Sequence, residues 1–255
     1  MKQSERMNTM MRILSEKHNA STQYLSKVLD VSESTVRRDI EFLSSLKKDV
    51  HKVHGGVILK SNDKEHEYMF ELKLNVNVEL KRRVARAVVA LLGNNDSVVL
   101  DSGTTCLLTA TELHRRQDLR IATVDLQVAM ELAKHDHIES IIIGGLIRPG
   151  YYSVGDALAM EMLDRFSIDK AVIGADAVDL EAGVTNYSIF EVGVKQKLLE
   201  TASHCILAAD YTKFGTRTFY KIAALSRFAT IVTNTELDEG IAEAIREMGI
   251  ELVLA

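Results

Sequence analysis

The sequence predicts an α+β protein of two domains, a small and mainly helical one in residues 1–60 and a larger α/β one in residues 80–255, with a linker at 61–79. Three observations support this prediction. A chain of 255 residues, 46% hydrophobic, exceeds the usual size of a single domain. Its first sixty residues show helix-period apolar stripes, whereas strand-like and helical runs alternate in the rest. Residues 1–60 hold eleven basic and seven acidic side chains, and the remainder holds twenty basic and twenty-nine acidic ones.

Two helix-period patterns open the chain. The first predicts a helix at 4–17 with a methionine-rich core face at i, i+3, i+4 and i+7, formed by Met7, Met10, Met11 and Leu14. The second predicts a helix that follows a cap at Ser21 or Thr22. Its expected buried side consists of Tyr24, Leu25, Val28 and Leu29. A tight turn at Asp30 and Val31 separates it from a third helix.

The stretch VSESTVRRDIEFL, residues 31–43, predicts this third helix, with Ser32 as its cap. Val36, Ile40 and Leu43 fall on one apolar stripe. The outward side is polar and basic, with Ser34, Thr35, Arg37 and Arg38. Three short helices of this kind are typical of a helix-turn-helix, in which the third helix enters the major groove of double-stranded DNA. We therefore expect Ser32 and these four side chains to lie against an operator.

The stretch KKDVHKVHGGVILK, residues 47–60, predicts a β-hairpin around Gly55 and Gly56. Such a hairpin beside a helix-turn-helix is a wing, and we expect Lys52 and His54 on it to contact flanking phosphates. An alternative is that Arg37 and Arg38 form only a solvated face, with local ion pairs to Asp39 and Glu41. The preceding helices, the hairpin and the local positive charge together favour DNA binding.

Strand-like runs alternate with helical ones in residues 80–255, after a helix that starts at Lys81. The predicted strands are SVVLD, LRIATV, IESIIIGG, KAVIGAD, HCILAAD, ATIVTN and IELVLA. Between them we predict helices near 105–115, 126–135, 155–165, 190–202 and 238–248. Continuous apolar strands separated by helices are typical of an α/β domain with a mostly parallel sheet.

Polar and small residues follow several of these strands. They occur in DSGTT (Asp101–Thr105), VD (Val124 and Asp125), GGLIR (Gly144–Arg148), GAD (Gly174–Asp176) and DYTKF (Asp210–Phe214). Ligands of such sheets bind outside the carboxyl ends of the strands. SGTT joins a buried strand to a helix N-terminus, where free N–H groups, the helix dipole and hydroxyls can hold a phosphate.

We therefore predict a site for a small phosphorylated, polyhydroxylated effector. Its expected residues are Asp101, Ser102, Gly103, Thr104, Thr105, Asp125, Gly144, Gly145, Arg148, Lys195, Asp210 and Lys213. Each segment also has an ordinary interpretation: SGTT as a helix cap, the glycine pair as a turn, and Lys195 as a solvated surface residue. Their shared position at strand ends favours the site.

Several functional classes are not supported by the sequence. The motifs GxGxxG and GxxxxGK[ST] are absent, so nothing indicates NAD or ATP. The eight histidines and the two isolated cysteines, Cys106 and Cys205, show no metal-ligand spacing, and we expect neither a metal nor a cofactor. The start of the chain has no apolar signal core, and no run is long enough to span a membrane. These features predict a cytoplasmic protein.

The whole chain, roughly residues 4–254, resembles the DeoR family of bacterial sugar-metabolism repressors. The resemblance rests on VSESTVRRD, KVHGG, LDSGTT, IIGGLIR with a following SVGD, and DYTKFG, in this order and spacing. It implies a winged helix-turn-helix, and a sensor domain related to ribose-5-phosphate isomerases whose effectors are phosphorylated sugars or their derivatives. Where the family reads VTN, this chain has Thr123, Val124 and Asp125. Since an Asp repels phosphate, we expect Asp125 either to accept hydrogen bonds from ligand hydroxyls or to shape a different specificity.

An enzyme is the alternative. GADAVD, residues 174–179, resembles the GADEVD of ribose-5-phosphate isomerases, and Glu191 with Lys195 resembles their later acid and lysine. A sugar-phosphate isomerase needs a carboxylate base, but Ala177 stands where the isomerase has Glu. This favours a binding protein that lacks catalysis. Because one helix and one wing cover only a half-site, we also expect a homodimer or homotetramer.

Overall fold

A computed structural model of the chain describes residues 2–47, 49–59 and 70–255. The chain divides into two compact units, Met1–Val76 and Asn77–Ala255. Each unit has its own hydrophobic core. The division falls inside the segment 61–79 that the sequence assigns to the linker.

The N-terminal unit combines helices with a small antiparallel sheet. Its elements are α1 (Gln3–Lys17), β1 (Asn19–Ser21), α2 (Thr22–Leu29), α3 (Glu33–Leu46), β2 (Val50–Val53), β3 (Gly56–Leu59) and α4 (Phe70–Asn75). β3 lies between β1 and β2 in the sheet. The three predicted helices and the hairpin are confirmed. β1 was not predicted, because three residues are too few to show a period.

The core of this unit confirms most of the predicted apolar stripes. It contains Met10, Ile13, Leu14, Leu25, Leu29, Val36, Ile40, Leu43, Val50 and Val57. The predicted buried side of α2 is wrong in part, since Val28 is 46% exposed and Tyr24 is only half-buried. At 100° per residue, Val28 lies about 90° from the centre of the stripe formed by Thr22, Leu25 and Leu29. The stripe of this short helix is therefore narrower than expected.

The linker prediction needs a correction. Residues 61–69 lie outside the described residues, but Phe70–Asn75 form α4, and α5 begins at Val78 instead of at Lys81. Phe70 is buried at 4% exposure. A single buried apolar residue leaves no periodic pattern in the sequence, so α4 was not predicted.

The C-terminal unit is an α/β domain. Its helices are α5 (Val78–Leu91), α6 (Thr104–Glu112), α7 (Leu126–Leu132), α8 (Ala157–Leu163), α9 (Val192–Thr201) and α10 (Glu239–Glu247). Its strands are β4 (Ser97–Leu100), β5 (Leu119–Thr123), β6 (Ile138–Ile142), β7 (Leu146–Ile147), β8 (Val154–Gly155), β9 (Ile168–Ile173), β10 (Ala177–Asp179), β11 (Gly183–Asn186), β12 (Ala202–Ala208), β13 (Tyr220–Ala223), β14 (Thr230–Thr233) and β15 (Glu251–Leu254).

Seven of these strands form one parallel sheet in the order β15-β14-β12-β9-β4-β5-β6. This confirms the predicted parallel sheet and all seven predicted strands. The chain builds outward from β4 to β6 and then returns to β9 on the other side of β4. The gap between β4 and β9 is thus a topological switch point, where open α/β sheets bind ligands.

Hydrophobic clusters cover both faces of the sheet. Two small antiparallel additions were not predicted, the sheet β10-β11-β13 and the pair β7-β8. Their strands are two to four residues long and lack the continuous apolar runs that mark the strands of the parallel sheet. Within the described ranges, no helix is both long and apolar enough to cross a bilayer.

Candidate DNA-binding surface and ligand site

The N-terminus of α3 is organised by Ser32. Its hydroxyl accepts a hydrogen bond from the Thr35 N–H at 3.2 Å, which satisfies one free donor of the first turn. It also lies 2.8 Å from the Ser34 hydroxyl and 2.9 Å from that of Thr35. Ser32 is therefore the predicted cap, and its hydroxyl is engaged within the protein.

The outward side of α3 is the basic face, formed by Ser34, Arg37 and Arg38, which are all exposed. Arg37 forms an ion pair with Glu33 at 2.9 Å, one turn earlier on the same helix. Arg38 has no acidic partner among the described residues. The basic face keeps its two guanidinium groups at the surface, where phosphates and base edges could reach them.

The alternative of local ion pairs to Asp39 and Glu41 is wrong. Asp39 is buried at 1% exposure and binds Arg6 of α1 instead. Glu41 binds Lys52 of the wing, and this contact lowers the pKa of the Glu41 carboxyl. Both partners in that second pair are about half exposed, so the pair is weak and easily exchanged for a phosphate.

The wing brings the remaining predicted residues to the same surface. β2 and β3 pair in antiparallel register, and His54 lies exposed in the turn between them. Gly55 in this turn has φ +83°, a backbone conformation that favours glycine. A cleft of 540 Å³ separates the wing from the first turns of α2 and α3, and Arg37, Lys52 and His54 all line it.

In the C-terminal unit, the predicted ligand residues follow the strands at the carboxyl edge of the parallel sheet. Along this edge, in strand order, lie Asn234, Asp210, Gly174, Asp101, Asp125 and Gly144. Neighbouring strands are about 4.8 Å apart, so Asp210 lies about 10 Å from Asp101. Asp101 and Gly174 flank the switch point between β4 and β9.

Asp101 and Lys195 form a buried ion pair at this switch point. Their side chains are 1% and 3% exposed. Asp101 also accepts the Gly174 N–H at 3.0 Å, and Lys195 donates to the Gly174 carbonyl at 3.2 Å. Burial alone would lower the pKa of Lys195, but the charges of Asp101 and Glu191 raise it. The interpretation of Lys195 as a solvated surface residue is wrong, and its ammonium is bound within the protein.

Asp125 is fully buried, and both of its carboxylate oxygens accept backbone N–H groups. Oδ1 accepts those of Gln127 (2.7 Å) and Val128 (3.1 Å) and so caps α7, whereas Oδ2 accepts the Gly103 N–H at 3.0 Å. Burial raises the pKa of Asp125 to about 6 despite these hydrogen bonds. The Asp125 side chain therefore holds the SGTT segment and α7 together, and its expected acceptance of ligand hydroxyls stays a prediction.

Arg148 is bound to Glu191 at 2.9 Å and stacks on the Tyr151 ring at 3.7 Å. Glu191 also accepts hydrogen bonds from Ser153 (3.2 Å) and Asn186 (2.9 Å). The two predicted cations Arg148 and Lys195 are therefore both committed to carboxylates of the protein.

The SGTT segment has the predicted form. Gly103 adopts φ +104° at the N-cap of α6, no side chain of the described residues caps this helix, and a Cβ added at Gly103 would meet nothing within 4 Å. Thr104 is buried and Thr105 is half-buried in the first helical turn. First-turn N–H groups have no carbonyl partner within a helix. Gly144 and Gly145 are exposed beyond β6, two strands away from the switch point.

Asp210 and Lys213 lie together in a short 3₁₀ turn after β12. Asp210 is 1% exposed, and its Oδ1 accepts hydrogen bonds from the Thr212 N–H at 3.2 Å and from the Asn77 amide at 3.5 Å. Its Oδ2 is buried and has no hydrogen-bond partner. Lys213 is half-buried and has no acidic partner in the part of the chain that the structure describes.

Lys81 is a buried charged residue that the sequence interpretation missed, at 4% exposure. It lies on the first turn of α5. This turn reaches the carboxyl edge through Asn77, which donates to Thr212 at 3.1 Å, and through the Leu80 carbonyl, which accepts from Asn234 at 3.0 Å. The signal was present in the sequence, because Lys81 precedes Ala85 and Val88 at i+4 and i+7 and so occupies a core position of the stripe.

Comparison with known families decides the identity of the chain. The family model of the DeoR-like helix-turn-helix domain matches residues 6–63, and that of the DeoR C terminal sensor domain matches residues 76–235. The chain belongs to the DeoR family. It is a DNA-binding transcriptional regulator, and the predicted resemblance and the two-part fold are both confirmed.

Relatives in the DeoR family align with nearly the whole chain. A "putative sgc region transcriptional regulator" of Escherichia coli (strain K12) is 36% identical over 98% of this chain and 96% of its own length. A "glycerol-3-phosphate regulon repressor" of Haemophilus influenzae is 29% identical over 100% of this chain and 98% of its own. Ribose-5-phosphate isomerase A of Methanocaldococcus jannaschii is a structural neighbour with a TM-score of 0.42 and 19% identity, over 54% of this chain and 55% of that one.

Family membership also decides against the enzyme alternative. The family models and the relatives describe regulators. Glu191, which resembles the later acid of the isomerases in sequence, binds Arg148, Ser153 and Asn186 in this chain.

Proposed function

We propose that this DeoR-family protein represses an operon for carbohydrate uptake or catabolism, and that a phosphorylated sugar, sugar alcohol or sugar acid releases it from its operator. The observation that supports this most directly is the N-terminus of α6 at the switch point of the sheet, which follows Ser102, carries Thr104 and Thr105, and has no side-chain cap among the described residues. The names of two relatives, the glycerol-3-phosphate regulon repressor and the "putative aga operon transcriptional repressor" of Escherichia coli O157:H7, agree with it.

Two groups at the carboxyl edge support a ligand of this kind. The first-turn N–H groups of α6 and the hydroxyls of Thr104 and Thr105 suit a phosphate. The unpartnered Oδ2 of Asp210 suits a hydroxyl donor, because a buried acceptor without a partner is costly until a ligand satisfies it. Asp101, which precedes the SGTT segment, lies about two strand spacings, ~10 Å, from Asp210. A single ligand that reaches both the SGTT segment and Asp210 therefore needs a phosphate at one end and hydroxyls several bonds away.

The basic residues near the carboxyl edge have different roles in this proposal. Arg148 and Lys195 shape the site through Glu191 and Asp101, whereas Lys213 is available for the ligand. Lys81 supplies a further buried positive charge on the turn of α5 that touches the Asp210 segment. Asp125 positions Gly103.

DNA binding in this proposal uses Ser34, Thr35, Arg37 and Arg38 on base edges and Lys52 and His54 on phosphates. One such surface covers a half-site, so the active species is a dimer or tetramer that spans half-sites spaced by whole helical turns. Multi-angle light scattering of the full chain tests this. A strictly monomeric chain that protects one specific operator at nanomolar concentration would contradict it.

A thermal-shift screen tests the ligand. A compound present at about 100 times its dissociation constant stabilises by ~2.7 kcal/mol, which raises Tm by roughly 5–11 °C for a unit of this size. We expect such a shift from a sugar phosphate and a far smaller one from the same sugar without phosphate. The variant T104A/T105A should lose the shift, while T111A, a threonine in the last turn of the same helix, should keep it. An equal response to the unphosphorylated sugar, or a full shift in T104A/T105A, would refute the proposal.

A further inference from the structure

A buried carboxylate lies in the middle of the helix that carries the basic face. Asp39 follows Arg38 directly, yet its side chain is only 2% exposed. It occupies the apolar stripe of α3 with Val36, Ile40 and Leu43. A charge in this position requires a partner, because an unpaired buried carboxylate is strongly destabilising.

The partners come from the first turns of α1. Arg6 donates to Asp39 through two nitrogens, from Nε to Oδ2 at 2.5 Å and from Nη2 to Oδ1 at 3.0 Å. Gln3 adds a hydrogen bond from its amide to Oδ1 at 3.1 Å. The Arg6 side chain is 13% exposed, so the fork is largely shielded from water. A bidentate guanidinium–carboxylate pair fixes both the distance and the relative rotation of the two elements that it joins.

The apolar packing around this pair is much less directional. The core face of α1 is rich in methionine: Met10 is fully buried, and Met7 and Met11 pack at its margin. Ile13 and Leu14 are also buried on this face, but methionine has three rotatable bonds and adapts to many neighbours, so much of the face buries area without specifying one orientation. The fork from Arg6 to Asp39 is therefore the contact that can select one crossing of α1 and α3.

We propose that Arg6 and Asp39 are positioning residues for DNA reading, which set the rotation of α3 and so place Arg37 and Arg38 on the bases. Neither residue needs to touch DNA for this role. Phosphate contacts tolerate small displacements of a helix, whereas bidentate contacts to base edges do not. Loss of the fork should therefore reduce sequence discrimination more than it reduces general affinity for DNA.

The test must separate the positioning of α3 from the stability of the domain. The main variant therefore replaces both charged residues of the pair by apolar ones, instead of removing one charge. Removal of one partner alone would leave a buried charge, but a buried ion pair exchanged for apolar residues of similar size often preserves stability. The main variant is thus R6M/D39L in the full chain, with R6K as a second variant that keeps the charge but loses the fork. I13A is the control, because it removes apolar packing from α1 and leaves the ion pair intact.

The measurement is the affinity of each variant for two duplexes at one salt concentration. The first is the duplex that wild-type protein selects from a random-sequence pool, and the second is its scrambled counterpart. We expect R6M/D39L to lower the affinity ratio of the two duplexes by at least about tenfold, with R6K between it and wild type, while affinity for the scrambled duplex changes by less than about threefold. I13A should lower Tm and leave the ratio unchanged.

Two results would overturn the proposal. If folded R6M/D39L has the same affinity ratio for the two duplexes as wild type, the Arg6–Asp39 pair serves stability alone. If R6M/D39L does not fold, R6K decides, because an unchanged affinity ratio in R6K would show that the fork geometry is irrelevant to reading.

Discussion

Replacement of Lys195 by methionine breaks a fully buried ion pair without removing the aliphatic stem of the side chain. In K195M the Asp101 carboxylate would remain buried, with the Gly174 N–H at 3.0 Å as its main donor. Removal of one partner from such a pair costs about 3–5 kcal/mol. In a unit of 150–250 residues each kcal/mol lowers Tm by about 2–4 °C, so K195M should lower it by roughly 6–20 °C.

The same helix offers a matched control. Lys197 on α9 pairs with Asp164, whose side chain is 62% exposed, and a solvated pair of this kind contributes at most about 1 kcal/mol. K197M should therefore change Tm by only a few degrees. The double variant D101N/K195M removes both charges and should recover much of the stability lost in K195M.

Thermal unfolding of the four proteins, followed by far-UV circular dichroism, checks these expectations. The reasoning is refuted if K195M is no less stable than K197M. It is also refuted if D101N/K195M is as unstable as K195M, because the cost would then come from lost packing and not from an uncompensated charge.

Two further predictions concern Arg38 and Asp125. R38A should weaken binding to the selected duplex by ~1–3 kcal/mol and relax one base position, as fluorescence anisotropy on single-base variants would show; a uniform loss on all sequences would mark Arg38 as a phosphate contact. Burial raises the pKa of Asp125 in the folded protein to about 6, above the unfolded value of ~3.9, so its stabilising contribution is greatest below pH 4 and is lost as pH rises through 6. Urea unfolding should therefore show wild type gaining about 2 kcal/mol relative to D125N between pH 7.5 and pH 4.5, and a difference that does not change with pH would contradict this.

Helices and strands with a clear apolar stripe or run could be predicted from the sequence. The three N-terminal helices and the seven parallel strands are all present, because each buries a continuous stripe or run. The caps Ser21 and Ser32 also follow from local chemistry, since each hydroxyl accepts an N–H of its own helix. Three-residue strands such as β1 and β10 could not be predicted, because they contain no continuous apolar run and only tertiary pairing defines them.

The partners of charged residues were the least predictable part of both sites. Their position after strands places Asp101, Asp125 and Asp210 at one edge of the sheet. It does not show which of their carboxylate oxygens already accept hydrogen bonds within the protein. Lys195 lies 94 positions from Asp101 in the sequence, and Arg6 lies 33 from Asp39. Contacts between residues so far apart in the sequence depend on how whole helices and strands pack, so a local sequence pattern does not predict them.

The most direct test of the account is operator release by the ligand. An effector displaces DNA only if it binds the DNA-free form more tightly, and the two sites must be coupled reciprocally. We would measure anisotropy of the selected duplex with wild type and T104A/T105A, with and without the sugar phosphate found in the thermal-shift screen. The account predicts equal DNA affinity without ligand, and release of wild type but not of T104A/T105A when ligand is added. Release of T104A/T105A at the same ligand concentration as wild type, or loss of DNA binding by the folded variant without ligand, would contradict it.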